Sequence, residues 1–468
     1  MVAFFPGPLV AADGKPGVEQ RLKNFAAEKE KHARDLAKEH QVEVSPEIWE
    51  FFKTAKDGNW QGVTNKFGKL KIGRSEDEGS KMDTAFTSPL WSTVLELELI
   101  AEYYLRLGSP FLVLMANDLM SGIPKGAVCL GGTDPGRGLP TAFSESHVRG
   151  EPFFTISQNN LADGNYLAYL RSTYGQKLKM PSIEVMQRCF KDYLDDAGRR
   201  AKHDLEFPNE PRQVKLGEDI RWEENRLTVK GQVAVMAINA LLVKDIFDKN
   251  PDREFFVEES FPLEWMYPHL TPHGAILKLN RQPVARLTAE VIAKDRAFWD
   301  GRFKQLMGDW LTQATTVKEV CDFVERAYVR RDLTDFKGDR QYLANGDAQK
   351  AYSKLRSAQA GLYYWRINST ADSPDEQAKM TAEADFAFRQ AFALCPSSPE
   401  ALFRYTNLLI SRGNMEASRG NTPESLRRVD DAIRLAQTAF RVDPKMPSAS
   451  DLSKNLAEMR RQFEQQAK

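Results

Sequence analysis

Between residues 18 and 40, in VEQRLKNFAAEKEKHARDLAKEH, apolar residues fall on a narrow stripe through Leu22, Phe25 and Leu36, which is the period of a helix. The pairs Glu28/His32 and Glu30/Arg34 stand four apart, where helical side chains meet, so the charge run reads as a solvated helix face. The polar, glycine-containing KIGRSEDEGSK at 71–81 reads as a loop or linker and marks a first boundary.

Past that boundary, short apolar runs alternate with helical stretches, the pattern of a parallel sheet covered by helices. Ala127 to Leu130 is the first run. Phe153 to Ile156 is the second, followed by helical spacing through Leu161, Tyr166, Leu167 and Leu170. Phe255 to Val257 is the third, directly after an apolar helix that stops at Asn250-Pro251. Ala275 to Leu279 adds an edge or return strand. Extra helical segments and a hairpin around DIRWEENRLTVKG separate the second and third runs, and strand order is not legible.

From about 288 onward only helices are expected. AFALCP at 391–396 recurs as AFRVDP at 439–444, each closing a helix with a proline. The offset of 48 exceeds the roughly 34 of a tetratricopeptide repeat, and MEASRGNTPESLRR between them reads as an insertion of the missing length. AQKAYSKLRSAQAGLYYWRI and SPEALFRYTNLLISRG supply the first helices of two hairpins. The expected fold class is α/β: a parallel-sheet, Rossmann-like domain with helices, followed by an all-α tetratricopeptide-like domain. The divisions are 1–81, a tail and helical segment; 82–287, the α/β domain; 288–345, connecting helices; and 346–468, the helical domain.

Composition narrows the classes. A chain of 468 residues, 42% apolar and 28% charged, has the make-up of an ordinary globular protein with more than one domain. Lysine plus arginine equals aspartate plus glutamate at 65 each, so the basic footprint of a nucleic-acid binder is missing. The apolar stretch Val233 to Val243 is broken by Asn239 and is shorter than the ~20 residues that cross a bilayer, so no membrane span is expected. Cys129, Cys189, Cys321 and Cys395 form no C-x-x-C or Cys/His cluster; they read as small buried apolar residues and leave the compartment open. The opening MVAFFPGPLVAADGKPG resembles the end of a secretory signal without its basic front, which suggests a periplasmic or otherwise exported protein; an apolar tail on a cytoplasmic protein is the alternative.

In an open parallel sheet, ligands bind beyond the carboxyl ends of the strands. Each strand candidate ends in polar residues there: Asp134 and Arg137 after the first, Ser157, Gln158, Asn159, Asn160 and Asp163 after the second, Glu258, Glu259 and Ser260 after the third. The loop in AVCLGGTDPGRGLP has neither G-x-x-x-x-G-K-[ST] nor G-x-G-x-x-G. Gly131 and Gly132 let backbone approach a ligand, Thr133 or Asp134 caps the next helix or turn, and Asp134 with Arg137 makes either a ligand contact or a local ion pair. An acid in the loop repels phosphate. Asp134, Glu258 and Glu259 are the candidate catalytic acids, although neighbours on a strand point to opposite faces, so at most one of the two glutamates faces the cleft. Trp265 and Tyr267 either stack on a sugar ring or close the core. His269 and His273 have H-x-x-x-H spacing, but Pro268 and Pro272 oppose a shared helix face, so no metal site is expected, and no cofactor is identified. There is no G-x-S-x-G or H-E-x-x-H, and Ser144, Ser146 and His147 in FSESHV lack a nucleophile-elbow context.

The strings GGTDPGR, TISQNNLADGNYLAYLR, IFDKNPDREFFVEESFPLEWMYP and EADFAFRQAFALCPSSPEALFRY resemble the soluble C-terminal region of a family of uncharacterised bacterial membrane proteins whose membrane part is similar to protein O-mannosyltransferases. The likeness covers roughly residues 120 to 445 and carries no motif of established chemistry. The chain departs from that family in lacking the membrane part, where the transferase machinery lies. The resemblance therefore implies an accessory or binding protein with a small polar, glycan-related ligand, a sugar-containing molecule, at the strand ends and a protein partner on the helical tail. The alternatives are a glycosyl- or phosphate-ester-handling enzyme using Asp134 and Glu258 or Glu259, and a structural envelope protein.

Overall fold

The computed structural model describes residues 15–73, 84–132, 135–144, 153–175, 177–223, 226–259, 261–369 and 373–466. The apolar N-terminal segment, most of the 71–81 stretch, and Thr133, Asp134, Ser146, His147 and Ser260 lie outside them. The chain divides into two compact units, Met1–His269 with Lys278–Pro283, and Leu270–Leu277 with Val284–Lys468.

The first unit begins with α1 (Lys15–Glu39), α2 (Pro46–Lys56), α3 (Trp60–Gly73) and α4 (Trp91–Met120). The helix predicted from residue 18 is α1, and Val18, Leu22, Phe25, Ala26, Ala33 and Leu36 form its buried stripe. The solvated-face reading needs correction at one residue. Lys29 continues the stripe and is fully buried: its ammonium pairs with Glu96 of α4 and donates to Tyr169 Oη at 2.8 Å, while Tyr169 Oη donates to Glu96 Oε2 at 2.9 Å. Of the two anticipated pairs, Glu30 meets Arg34 at 2.6 Å, whereas Glu28 meets Arg21 at 3.3 Å.

α4, whose apolar run is interrupted by Glu96, Glu98, Glu102 and Arg106, is the one helix among the described residues long and apolar enough to cross a membrane by length and composition. Val233 to Val243 is therefore the wrong stretch on which to judge a span. Gly108, at φ 70° and ψ 158°, breaks the helical path of α4 two residues before Pro110, which has no N–H to give.

The sheet comes next. β1 (Val128–Gly131) leads through α5 (Pro135–Phe143) to β2 (Phe154–Ser157), then to α6 (Gly164–Tyr174) and α7 (Ile183–Glu206). The antiparallel hairpin β3 (Asp219–Glu223) and β4 (Arg226–Lys230) and the apolar helix α8 (Gln232–Lys249) precede β5 (Phe255–Glu258). With β6 (Leu270–His273) and β7 (Ile276–Leu279), the strands stand in the order β2-β1-β5-β7-β6. All three predicted apolar runs are strands buried along their whole length, as expected where a parallel sheet is covered on both faces. The fourth candidate is β7, an interior strand with β6 outside it.

The hairpin is tethered through Glu218, whose carboxylate pairs with Arg200 and accepts from Tyr193 Oη at 2.7 Å and from Lys215 N at 2.8 Å. Burial pushes this carboxyl up, but the hydrogen bonds from Arg200, Tyr193 and the Lys215 main chain outweigh it and hold the group at about 2, below its ordinary 4.5. A carboxylate held low lends stability that is fully present above its ordinary range and is lost as pH falls through the folded value. Amide hydrogen exchange across 213–230 is therefore expected to quicken as pH drops from about 4.5 toward about 2, after correction for intrinsic rates. Glu218→Gln should remove that dependence and loosen the hairpin at neutral pH; identical protection in the variant at neutral pH would refute the tether.

The second unit is helical after the β6–β7 pair: α9 (Ala289–Met307), α10 (Val317–Val324), α11 (Arg340–Ala344), then α12 (Gly346–Ser369), α13 (Pro374–Leu394), α14 (Pro399–Ser418), α15 (Thr422–Val442) and α16 (Pro447–Gln466). Helices α12 and α13 pack together, as do α14 with α15 and α15 with α16. The repeated strings close α13 and α15 alike: Cys395 (φ −150°, ψ 91°) and Asp443 (φ −132°, ψ 90°) are extended because a residue before proline avoids the helical region. The supposed insertion is no insertion. MEASRGNTPESLRR finishes α14 and starts α15, so longer helices account for the offset of 48.

Candidate functional site

β1 lies between β2 and β5, parallel to both, with Gly131 opposite Ser157 on one side and Glu258 on the other. The chain leaves β1 toward β2 and returns on the far side of β1 as β5. The order in which strands are added therefore reverses between β1 and β5, and the crevice at such a point, beyond the carboxyl ends, is where open α/β sheets hold ligands. The described members of the second and third predicted clusters, Asn159 and Glu259, meet on this rim, while Asp134 and the Arg137 side chain of the first lie outside the described residues.

Gly132 is its centre. A Cβ there would meet the Glu259 carboxylate and lie 3.5 Å from Asn159 Nδ2, so the glycine leaves room for these two side chains to meet across the end of β1. Asn159 Nδ2 lies 3.4 Å from Glu259 Oε2 across it, and Ser157 Oγ donates to Gly132 O at 3.1 Å. Glu258 is buried and Glu259 half-buried, in line with the alternation expected at a strand end. Burial and then the Glu258 charge push the neighbouring Cys129 thiol far up, so it stays protonated and is no nucleophile.

Gln158 opens the short 3₁₀ turn Gln158–Asn160 with a relative exposure of 0%. Among the described residues neither its Nε2 nor its Oε1 has a hydrogen-bond partner, and Asn159 Oδ1 beside it has none either. A buried amide left unmade costs about 1–3 kcal/mol, which sets Gln158 apart from its neighbours. Asn160 is half-exposed in the same turn, and its carbonyl accepts from Asp163 N at 3.0 Å. Asp163 caps α6 by accepting from Asn165 N at 2.9 Å.

Other candidates are placed differently. Arg137 lies in the first turn of α5, its side chain outside the described residues. Trp265 donates Nε1–H to Ala240 O at 3.2 Å and packs on Phe247 and His269, so it chiefly closes the core. Tyr267 is half-buried in the turn Glu264–His269, and His269 Nδ1 is bonded to Asn280 O at 2.9 Å.

One site residue reads from the sequence only as an interruption. Asn239, fully buried on α8, donates to Asn159 O at 2.8 Å and accepts from Ala162 N at 2.7 Å, fixing the turn that carries Gln158. A lone amide inside an apolar helix is the available signal, since a polar group in such a place needs partners. No protein-family model, curated protein or solved structure matches the chain.

Proposed function

We propose that the chain is a binding protein whose strand-end crevice takes a small, neutral, hydroxyl-rich ligand such as a sugar. The observation that carries this reading is the buried amide of Gln158, unpartnered among the described residues, at the carboxyl end of β2 beside the switch point of a parallel sheet. An amide offers a donor and an acceptor together, which a hydroxyl matches on both counts, and Asn159 and Glu259 supply the same pair of functions alongside. The two glutamates oppose a phosphate ester, and the loop has no phosphate-wrapping motif.

The test is calorimetric titration with neutral monosaccharides, disaccharides and the corresponding sugar phosphates. A neutral sugar is expected to bind better than its phosphate, and Gln158→Met to weaken binding about 10- to 100-fold, the loss of two hydrogen bonds and the stranding of ligand groups. Binding unaffected by Gln158→Met, or a preference for phosphates, would overturn the reading.

A further inference from the structure

The rim does not end at Glu259. Glu259 Oε1 lies 3.4 Å from Phe261 N, and from Phe261 the chain runs along α8, enclosing a groove of about 830 Å³. Val233, Met236, Ala237 and Ala240 form one wall; Phe261 and Leu263 stand on the other. The same stretch of α8 reaches the rim, since Asn239 Nδ2 is 2.8 Å from Asn159 O and 3.8 Å from Met236 Sδ. The polar pair Asn159 and Glu259 thus neighbours the trough without lining it, through Asn239 beside Met236 on one side and through Phe261 on the other. The volume lies within the range of small-molecule sites, roughly 300–1,000 Å³. Phe261 is 55% exposed.

From this continuity we infer that the ligand is an amphiphile: a hydroxyl-bearing head held at Gln158, Asn159 and Glu259, joined to an apolar chain that lies in the groove between α8 and residues 261–265. The inference rests on the rim reading and adds the tail. Lys215, Gln232 and Glu264 are the polar side chains among its lining and the other eight lining residues are largely apolar, so the groove suits hydrocarbon better than a second polar group.

The experiment is titration of the full chain with methyl, hexyl and octyl β-glucosides below their micellar concentrations. Affinity is expected to rise about fourfold per added methylene within the groove. Ala237→Phe, which fills the trough, should flatten this rise and leave methyl glucoside binding unchanged. Phe261→Ser, at an exposed position where misfolding is not at issue, should reduce octyl glucoside affinity about 5- to 10-fold with the same indifference to the methyl compound. Equal affinity for the methyl and octyl glucosides overturns the inference and leaves the rim reading standing. A rise with chain length that both variants leave untouched also overturns it. Absence of binding for all three compounds removes both.

Discussion

Arg356→Ala is expected to destabilise the helical unit by about 3–5 kcal/mol, because it leaves a buried carboxylate without its cation. Arg356 and Asp295 are 1% and 2% exposed, and Nη1 donates to Asp295 Oδ2 at 2.9 Å. The guanidinium also donates to Gln390 Oε1 at 2.9 Å and to Gln359 Oε1 at 3.0 Å, and it lies 5.2 Å from the Trp299 ring. Gln359 Nε2 in turn donates to Gly274 O at 2.6 Å, so Arg356 and Gln359 together link α9, α12, α13 and the turn between β6 and β7. In the alanine variant Asp295 keeps the Tyr363 hydroxyl, at 2.8 Å, and loses its counter-charge. Removing both charges should recover much of the loss, since the desolvation cost then disappears with the attraction. Urea unfolding of Arg356→Ala and of the double variant Arg356→Met/Asp295→Asn checks this. A single variant within about 1 kcal/mol of the parent contradicts it.

Lys29→Met carries the second large effect, again about 3–5 kcal/mol, now in the unit that holds the sheet. The substitution keeps the apolar length of the side chain and removes the ammonium, leaving Glu96 buried with the Tyr169 hydroxyl. A lysine on a solvated face changes stability by no more than about 0.5 kcal/mol, so the two readings of α1 differ by several-fold in the measured loss. Lys29→Met/Glu96→Gln should regain most of it. The pair joins α1 to α4 and α6, the helix immediately following the Gln158 turn, so the variant is also expected to lower protection of the strand-end amides.

These two networks mark the limit of what the letters carry. The strands were legible because a strand covered on both faces is a short continuous apolar run, and Val128, Phe154 and Phe255 begin such runs. Their order was not, because a crossover has the same composition whichever side of β1 it lands on. The helix-closing strings were legible through their prolines. The spacing between them misleads when a standard repeat length is assumed, because α14 and α15 are simply longer. Lys29 falls on the stripe Leu22, Phe25, Ala33, Leu36, and its position is a better guide to its place than its charge.

The meeting of Asn159 with Glu259 was legible as polar residues at two strand ends, since the strand-end rule needs only strand positions. Which member of a cluster matters was not. Ser157, Gln158, Asn159 and Asp163 look alike as letters, and the structure separates them by partners: Ser157 is bonded to Gly132, Asp163 caps a helix, Asn159 faces Glu259, and the Gln158 amide has none among the described residues. Asn239 and Met236 lie far along the chain, and only folding brings them to the turn.

The Gln158 amide, buried without a partner among the described residues, should cost the ligand-free chain stability. The direct measurement is urea unfolding of the ligand-free protein and of Gln158→Met, a change that nearly conserves volume. If the amide is held for a ligand, the variant unfolds at higher urea with an unchanged slope, a gain of about 1–3 kcal/mol. A variant less stable than the parent would mean that Gln158 is satisfied in the free protein, and the crevice would lose its claim to a ligand.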